Sequence, residues 1–178
     1  MDLLSEIFAP VQLLAWVAGC IYFVSYQKQS GNKTILLWAP ADLLFCVHYY
    51  FMNAPFFMMM ALGSTIRSFI ALKCSRKILG YYLIFYVLMI VIAMPFLAEG
   101  IKDYFGVVGT LAFCVSVWMK ENFILHRMFA FAHQTCWIIA FIFLGSYGGL
   151  AFTVFIFVSN VIGTGRYLWT QKILSKRS

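Results

Sequence analysis

The sequence predicts an all-α membrane protein of seven transmembrane helices. Three observations lead there. Of 178 residues, 63% are apolar and only 11% charged, a balance that a water-soluble domain of this size could not bury. The apolar stretches do not alternate in polarity as barrel strands would, and each is near the roughly 20 residues that a helix needs to cross a bilayer. Basic residues then fall in every second gap between those stretches: Lys28 and Lys33, Lys73 with Arg76 and Lys77, Lys120 and Arg127, and Lys172, Lys176 and Arg177. The intervening gaps hold Asp2 and Glu6, Asn53 to Pro55, Glu99 with Lys102 and Asp103, and Gly145 to Gly149. Short cytoplasmic loops retain Lys and Arg, so the N-terminus is expected outside and the C-terminus in the cytoplasm.

The first span is expected over residues 7–26. It lacks a basic leader and a small-residue cleavage site, so it reads as a retained helix. The second covers 34–52 and is interrupted by Pro40, a hinge candidate. The third, 56–72, starts behind Pro55, whose missing N–H costs nothing at a helix start. The fourth, 79–97, has no charged or amide side chain and is expected to face lipid all round, as a linker would. The fifth spans 104–119, with Gly106 and Gly109 allowing close backbone contact; Gly163 and Gly165 do the same in the seventh, 150–171. The sixth covers 127–144. Trp38, Trp118 and Trp169, with Tyr81 and Tyr82, are expected in an interfacial aromatic belt.

Spans one to three and five to seven share a layout. In each triplet a Cys-bearing span leads to a basic loop, a second Cys-bearing span, a short outer turn and a third span with an Arg before its basic end. Arg67 precedes Lys73 by the interval that separates Arg166 from Lys172. The expected organisation is a first three-helix bundle over 1–77, a linker helix over 78–99 and a second bundle over 100–178. The extra crossing makes two odd-numbered bundles parallel, a 3+1+3 arrangement of the kind that places a solute site at the repeat interface.

Composition also excludes function classes. The net charge of +7 sits at cytoplasmic helix ends, which argues for topology anchoring and anionic-lipid contact at the tail, not nucleic acid. Cys20, Cys46, Cys74, Cys114 and Cys136 show no metal spacing and read as free thiols. No metalloprotease, serine-hydrolase, phosphate-loop or CxxC pattern occurs, so no enzyme, cofactor or metal is expected.

Polar side chains inside spans are costly and therefore mark function. At about 1.5 Å per residue, Arg67 and Arg166 lie about 9 Å inside the cytoplasmic boundary, with Asp42, His133 and Gln134 at similar depth. The expectation is a cytoplasmic gate of Asp42, Arg67, His133 and Arg166, in which Asp42 neutralises Arg67 and His133 or Gln134 sits beside Arg166. The alternative for the arginines is snorkelling to lipid phosphates. Nearer the midplane lie Trp16, Ser64, Thr110, Trp137 and Asn160, with His48 somewhat further out. Indole faces, an amide and hydroxyls suit a neutral polar ligand. The substrate-binding candidates are Trp16, His48, Ser64, Trp137 and Asn160.

Several short elements resemble a known family. Ser64-Thr65-Ile66-Arg67 resembles the Asn-x-Ile-Arg element of the YgjV-type bacterial inner-membrane proteins, with Ser64 in place of Asn. Cys136-Trp137-Ile138, then Gly145-Ser146-Tyr147-Gly148-Gly149, Asn160 and Arg166, resemble the same family, as does Val47-His48 followed by aromatics. That family is similar in outline to the SWEET, PQ-loop and PnuC (MtN3-like) superfamily. The resemblance implies a multi-pass protein of the bacterial inner (plasma) membrane with 3+1+3 helices. It implies facilitated movement of a small polar solute, sugar-like or another metabolite, by alternating access through a midplane site. Asn160 is comparable to an asparagine that SWEET proteins carry in each half; the first half offers Ser64. The Pro-Gln dipeptide and the second-half prolines are missing, so sugar specificity does not carry over. The alternatives are a PnuC-like vitamin or nucleoside carrier, which a Trp16–Trp137 stack would favour, and a non-transporting structural or partner subunit with a dry interface. The expected partners are the lipid bilayer and a small polar solute, not nucleic acid; a homo-oligomer stays open.

Overall fold

The computed structural model describes residues 10–175, apart from the side chain of Leu174. Among the described residues the chain is all helix and turn: α1 (Pro10–Tyr26), α2 (Gly31–Phe51), α3 (Pro55–Lys73), α4 (Arg76–Leu97), α5 (Ile101–Trp118), α6 (Phe123–Leu144) and α7 (Tyr147–Ser175). Helices α2 to α7 are each long and apolar enough to cross a membrane, and α1 is a shorter apolar helix. The expected start of the first span at residue 7, and Asp2, Glu6, Lys176 and Arg177, lie outside the described residues.

Helices α2 and α4 to α7 start about one turn earlier than hydropathy suggests, because the polar and glycine residues ahead of each apolar run also join the helix. Helix α2 begins behind Ser30, and α6 behind Asn122, whose Oδ1 accepts from the Leu125 amide at 3.1 Å. Pro55 occupies the start of α3. Pro40 lies inside α2 on an exposed face and does not end the helix.

Six helices close a ring. Helix α2 packs between α1 and α3, α6 between α5 and α7, and the ring shuts through α1 against α7 and α3 against α5. Gly163 makes the α1–α7 seam possible: a Cβ there would lie 2.1 Å from the Tyr26 carbonyl oxygen. Gly109 similarly admits the Trp137 ring. Gly165, grouped with Gly163 from sequence, faces open space, so it supports no helix contact.

Helix α4 lies outside the ring, against α3 and α5. The expectation that it faces lipid all round is corrected. Leu79, Leu83, Tyr86 and Ile90 form a buried stripe at helical spacing. The Tyr82 hydroxyl donates to the Gly63 carbonyl at 2.7 Å and that of Tyr86 to the Met60 carbonyl. A hydroxyl at the end of an apolar ring satisfies the burial of both parts, and residue composition hid it.

Trp38 is a second correction. It is fully buried, donates Nε1 to Ser25 Oγ at 3.0 Å and packs 4.3 Å from Phe113. It belongs to the ring interior because α2 begins at Gly31, well before it. Trp169 and Tyr81 are exposed, and Trp118 is half-buried under the Arg76 guanidinium.

The basic gaps gather at one end of the ring. Lys120 Nζ donates to the Ala71 carbonyl, Arg76 pairs with Glu121 at 3.5 Å, and Arg127 reaches the Lys28 carbonyl at 2.7 Å. These contacts tie the α1–α2, α3–α4 and α5–α6 connections together. The opposite end carries Asn53, Glu99 with Lys102, and Asp103, whose Oδ2 caps the amides of Glu99 and Gly100.

Candidate functional site

The ring encloses a cavity of about 60 Å³, room for roughly four waters at about 15 Å³ each. All six ring helices contribute to its wall; among the described residues α4 does not. Asp42 from α2, Ser64 from α3, Thr110 from α5 and Gln134 from α6 each fall near the middle of their helix, so the cavity lies at mid-span.

Two groups that the sequence places at different depths meet here. Asp42 and His133, assigned to a cytoplasmic gate, line the same cavity as Ser64 and Trp137, assigned to substrate. The reason is the early helix starts: moving the N-termini of α2 and α6 back by a turn carries Asp42 and His133 to mid-helix. Trp16, His48 and Asn160 are not on this wall. Trp16 packs edge-on against Phe152 at 4.2 Å and not on Trp137, so the stack that would favour the PnuC-like alternative does not form. His48 is fully buried and its Nδ1 lies 2.8 Å from the Val11 carbonyl. Asn160 sits behind the wall, bonded to Arg127.

Asp42 is held from two sides. The Tyr22 hydroxyl donates to Oδ1, and Arg67 Nη2 lies 3.8 Å from Oδ2. Arg67 is fully buried, which rules out snorkelling for it. Its guanidinium lies 4.2 Å over the Phe113 ring, and Phe113 stacks on His133 at 4.1 Å. Cation, aromatic ring and imidazole thus form one pile against the cavity. The His133 Nδ1 is 2.9 Å from the Gly109 carbonyl, which holds the ring in place.

Arg166 does not join this group, and the expected four-residue gate is corrected. It is exposed and donates to Gln27 Oε1 at 3.3 Å. It lies six residues beyond the buried Asn160. At about 3.6 residues per turn that is roughly one and two-thirds turns, which carries it off the inward face of α7.

Sequence reading missed the cation that α6 does bury. Arg127, expected among the basic loop residues, is fully buried on α6. It donates to Asn160 Oδ1 at 3.1 Å and to the Tyr26 carbonyl at 2.9 Å, the latter at the end of α1. Only the position of Asn122 as an N-cap could have placed Arg127 inside the helix. His126 was missed for the same reason; it is buried against Ser116, 3.0 Å away. The aromatic wall was missed too: Tyr22 and Tyr26, then Phe45 and Tyr49, recur at helical i, i+4 spacing, a signal indistinguishable from ordinary core packing.

A family model described as Imp-YgjV, bacterial inner membrane protein, matches residues 10–171. The chain belongs to this family. Imp-YgjV membership and six long apolar helices make it a multi-pass protein of the bacterial inner membrane, with lipid as the solvent of its outer surface. No curated protein and no solved structure matches the chain. The Imp-YgjV match covers every wall residue of the cavity.

Proposed function

We propose that this protein moves a small polar solute across the inner membrane by alternating access, with the mid-span cavity as the solute site. One observation carries the reading: polar side chains line a cavity at mid-span, and two of them, Asp42 and Gln134, each hold a buried atom (Oδ2 and Nε2) with no hydrogen-bond partner among the described residues, Oδ2 keeping only the 3.8 Å ion pair to Arg67. Unsatisfied polar groups cost several kcal/mol each in a membrane interior, about as much as in any apolar medium. A polar solute or its replacement waters would satisfy them.

The finer organisation follows from the same reading. Helices α1–α3 and α5–α7 form two like-oriented triplets, α4 links them, and the basic end faces the cytoplasm. The cavity lies between the triplets, the place a SWEET-like parallel repeat would use. Ser64 and Trp137 contact the solute together with Asp42 and His133. The Asp42–Arg67 pair and the Arg127 contact to the end of α1 hold the closed arrangement. The protein acts as a carrier without catalysis.

A PnuC-like carrier of a vitamin or nucleoside is the second reading. Tyr49 stacked near Trp137 (6.1 Å, 22°) and Phe141 at 5.3 Å offer faces for a flat ring. A structural partner subunit would have a filled, dry centre, and the unpartnered wall groups count against it.

The test is access. Ser64→Cys, in a background with the five native cysteines replaced, is expected to react with membrane-impermeant thiol reagents from either side. Reaction from neither side under any solute condition would end the carrier reading.

A further inference from the structure

A second cavity lies outside the ring, on the lipid side. It is a groove of about 390 Å³ between α4 and α5, apolar throughout, formed by Leu83, Val87 and Leu88 of α4 with Leu111, Cys114 and Trp118 of α5. We infer that this groove binds an acyl chain of an anionic phospholipid, whose phosphate is held by Arg76 and Lys77 at the basic end of the molecule. Such a site stands whether or not the protein is a carrier.

The groove exists because α4 leans on α3. Tyr82 and Tyr86 hydrogen-bond to the α3 carbonyls of Gly63 and Met60. Toward α5 the close approach is at Gly80, where a Cβ would lie 3.2 Å from the Trp118 ring. From there toward mid-membrane the groove separates the two helices. Lipid tails are as apolar as leucine, so an apolar slot selects nothing by itself. Its length is informative. Leu88, at the far end, is about 18 Å along α4 from Arg76, and half of a bilayer's hydrocarbon core is about 15 Å. The groove thus runs through one leaflet and stops near the midplane, where an acyl chain of that leaflet also ends. A transmembrane helix of a second copy would cross both leaflets.

Selectivity comes from the mouth. Trp118 lines the groove, and the Arg76 guanidinium lies 4.7 Å over the same indole. Lys77, the next residue, has its ammonium 5.9 Å from the Tyr81 ring, one turn further into the membrane. Two neighbouring cations are therefore held over aromatic rings beside the groove. The opposing charge is Glu121, 3.5 Å from Arg76, but these side chains are 74% and 55% exposed. An exposed pair holds its partners weakly, and a phosphate offers Arg76 a bidentate acceptor. Lys120 is engaged by the Ala71 carbonyl, while Lys73 is exposed at the end of α3. Lys73, Arg76 and Lys77 together outweigh Glu121. A zwitterionic headgroup brings its own cation to this mouth, whereas phosphatidylglycerol does not.

The test is quenching of Trp118 by brominated acyl chains, with the full chain in phosphatidylcholine vesicles that carry rising fractions of brominated phosphatidylglycerol or brominated phosphatidylcholine. The Trp118 signal is the difference between wild type and Trp118→Phe, which keeps a ring in the wall. Brominated phosphatidylglycerol is expected to quench it at about a tenth of the mole fraction that brominated phosphatidylcholine needs. Arg76→Gln together with Lys77→Gln should bring the two lipids to within about twofold of each other. Salt at about 0.5 M should narrow the preference in the wild type, a check that needs no variant. Val87→Phe fills the groove and should lower quenching by both lipids. Where Trp118→Phe does not fold, the loss of total quenching in Val87→Phe isolates the same signal. Equal quenching by the two headgroups in the wild type, or a preference that survives both the paired substitution and salt, overturns the inference. So does the absence of Trp118 quenching by either lipid, as when a second copy covers the groove.

Discussion

Asp42 and Gln134 face one cavity from corresponding places, each the same number of residues past its helix N-cap, Ser30 or Asn122. One is a carboxylate beside a buried arginine, Arg67; the other is an amide connected through Asn160 to a buried arginine, Arg127. Helices α2 and α6 thus each bring a mid-helix polar group to the cavity with a buried arginine behind it.

The Asp42–Arg67 pair is buried on both sides. Removing one partner strands the other, so Asp42→Asn or Arg67→Met alone is expected to destabilise the protein by about 3–5 kcal/mol. The double variant, with no buried charge left, should recover much of that loss. Thermal unfolding in detergent of the two single variants and the double closes the cycle; additive losses would show that the pair is not coupled.

Arg166 and Arg67 are equivalent by spacing along the chain but not by burial. Arg166→Ala is expected to change stability by less than about 0.5 kcal/mol, since its side chain is exposed. An effect as large as that of the Arg67 substitution in the same melt would contradict the outward orientation of Arg166 on α7.

Gly163 and Gly165 offer a matched pair on one helix. Gly163→Ala drives a methyl into the Tyr26 carbonyl and should part α1 from α7, at a cost of about 1–3 kcal/mol or more. Gly165→Ala meets open space and should be neutral or slightly stabilising, because alanine favours helix. A cysteine cross-link between α1 and α7, formed in the Gly165 variant and lost in the Gly163 variant, reads this directly.

Orientation has its own check. Cys74 is an exposed native thiol at the basic end, and it should react with an impermeant reagent only in inverted vesicles. A cysteine placed at Glu99, in a background without Cys74, should react only from the periplasmic side. Labelling of both from one side would reverse or break the expected topology.

The helices and the grouping of basic residues were legible in the chain alone. Apolar run length yields helices under any packing, because a bilayer satisfies no backbone group, and the clustering of Lys and Arg needs no tertiary information to be seen. The expense of a buried Asp42, Ser64 or Trp137 is likewise a property of residue type, so composition marked these side chains as candidates. Their grouping was another matter. Which residues share a wall depends on where a helix begins and how far it is rotated, and a shift of one turn joined Asp42 and His133 to Ser64 and Trp137. It also drew Arg127 out of a supposed loop into the protein, and the rotation of α7 sent Asn160 inward and Arg166 to the surface. Helix formation is a local matter governed by solvent and backbone, whereas facing and register are decided by the neighbours against which each helix packs.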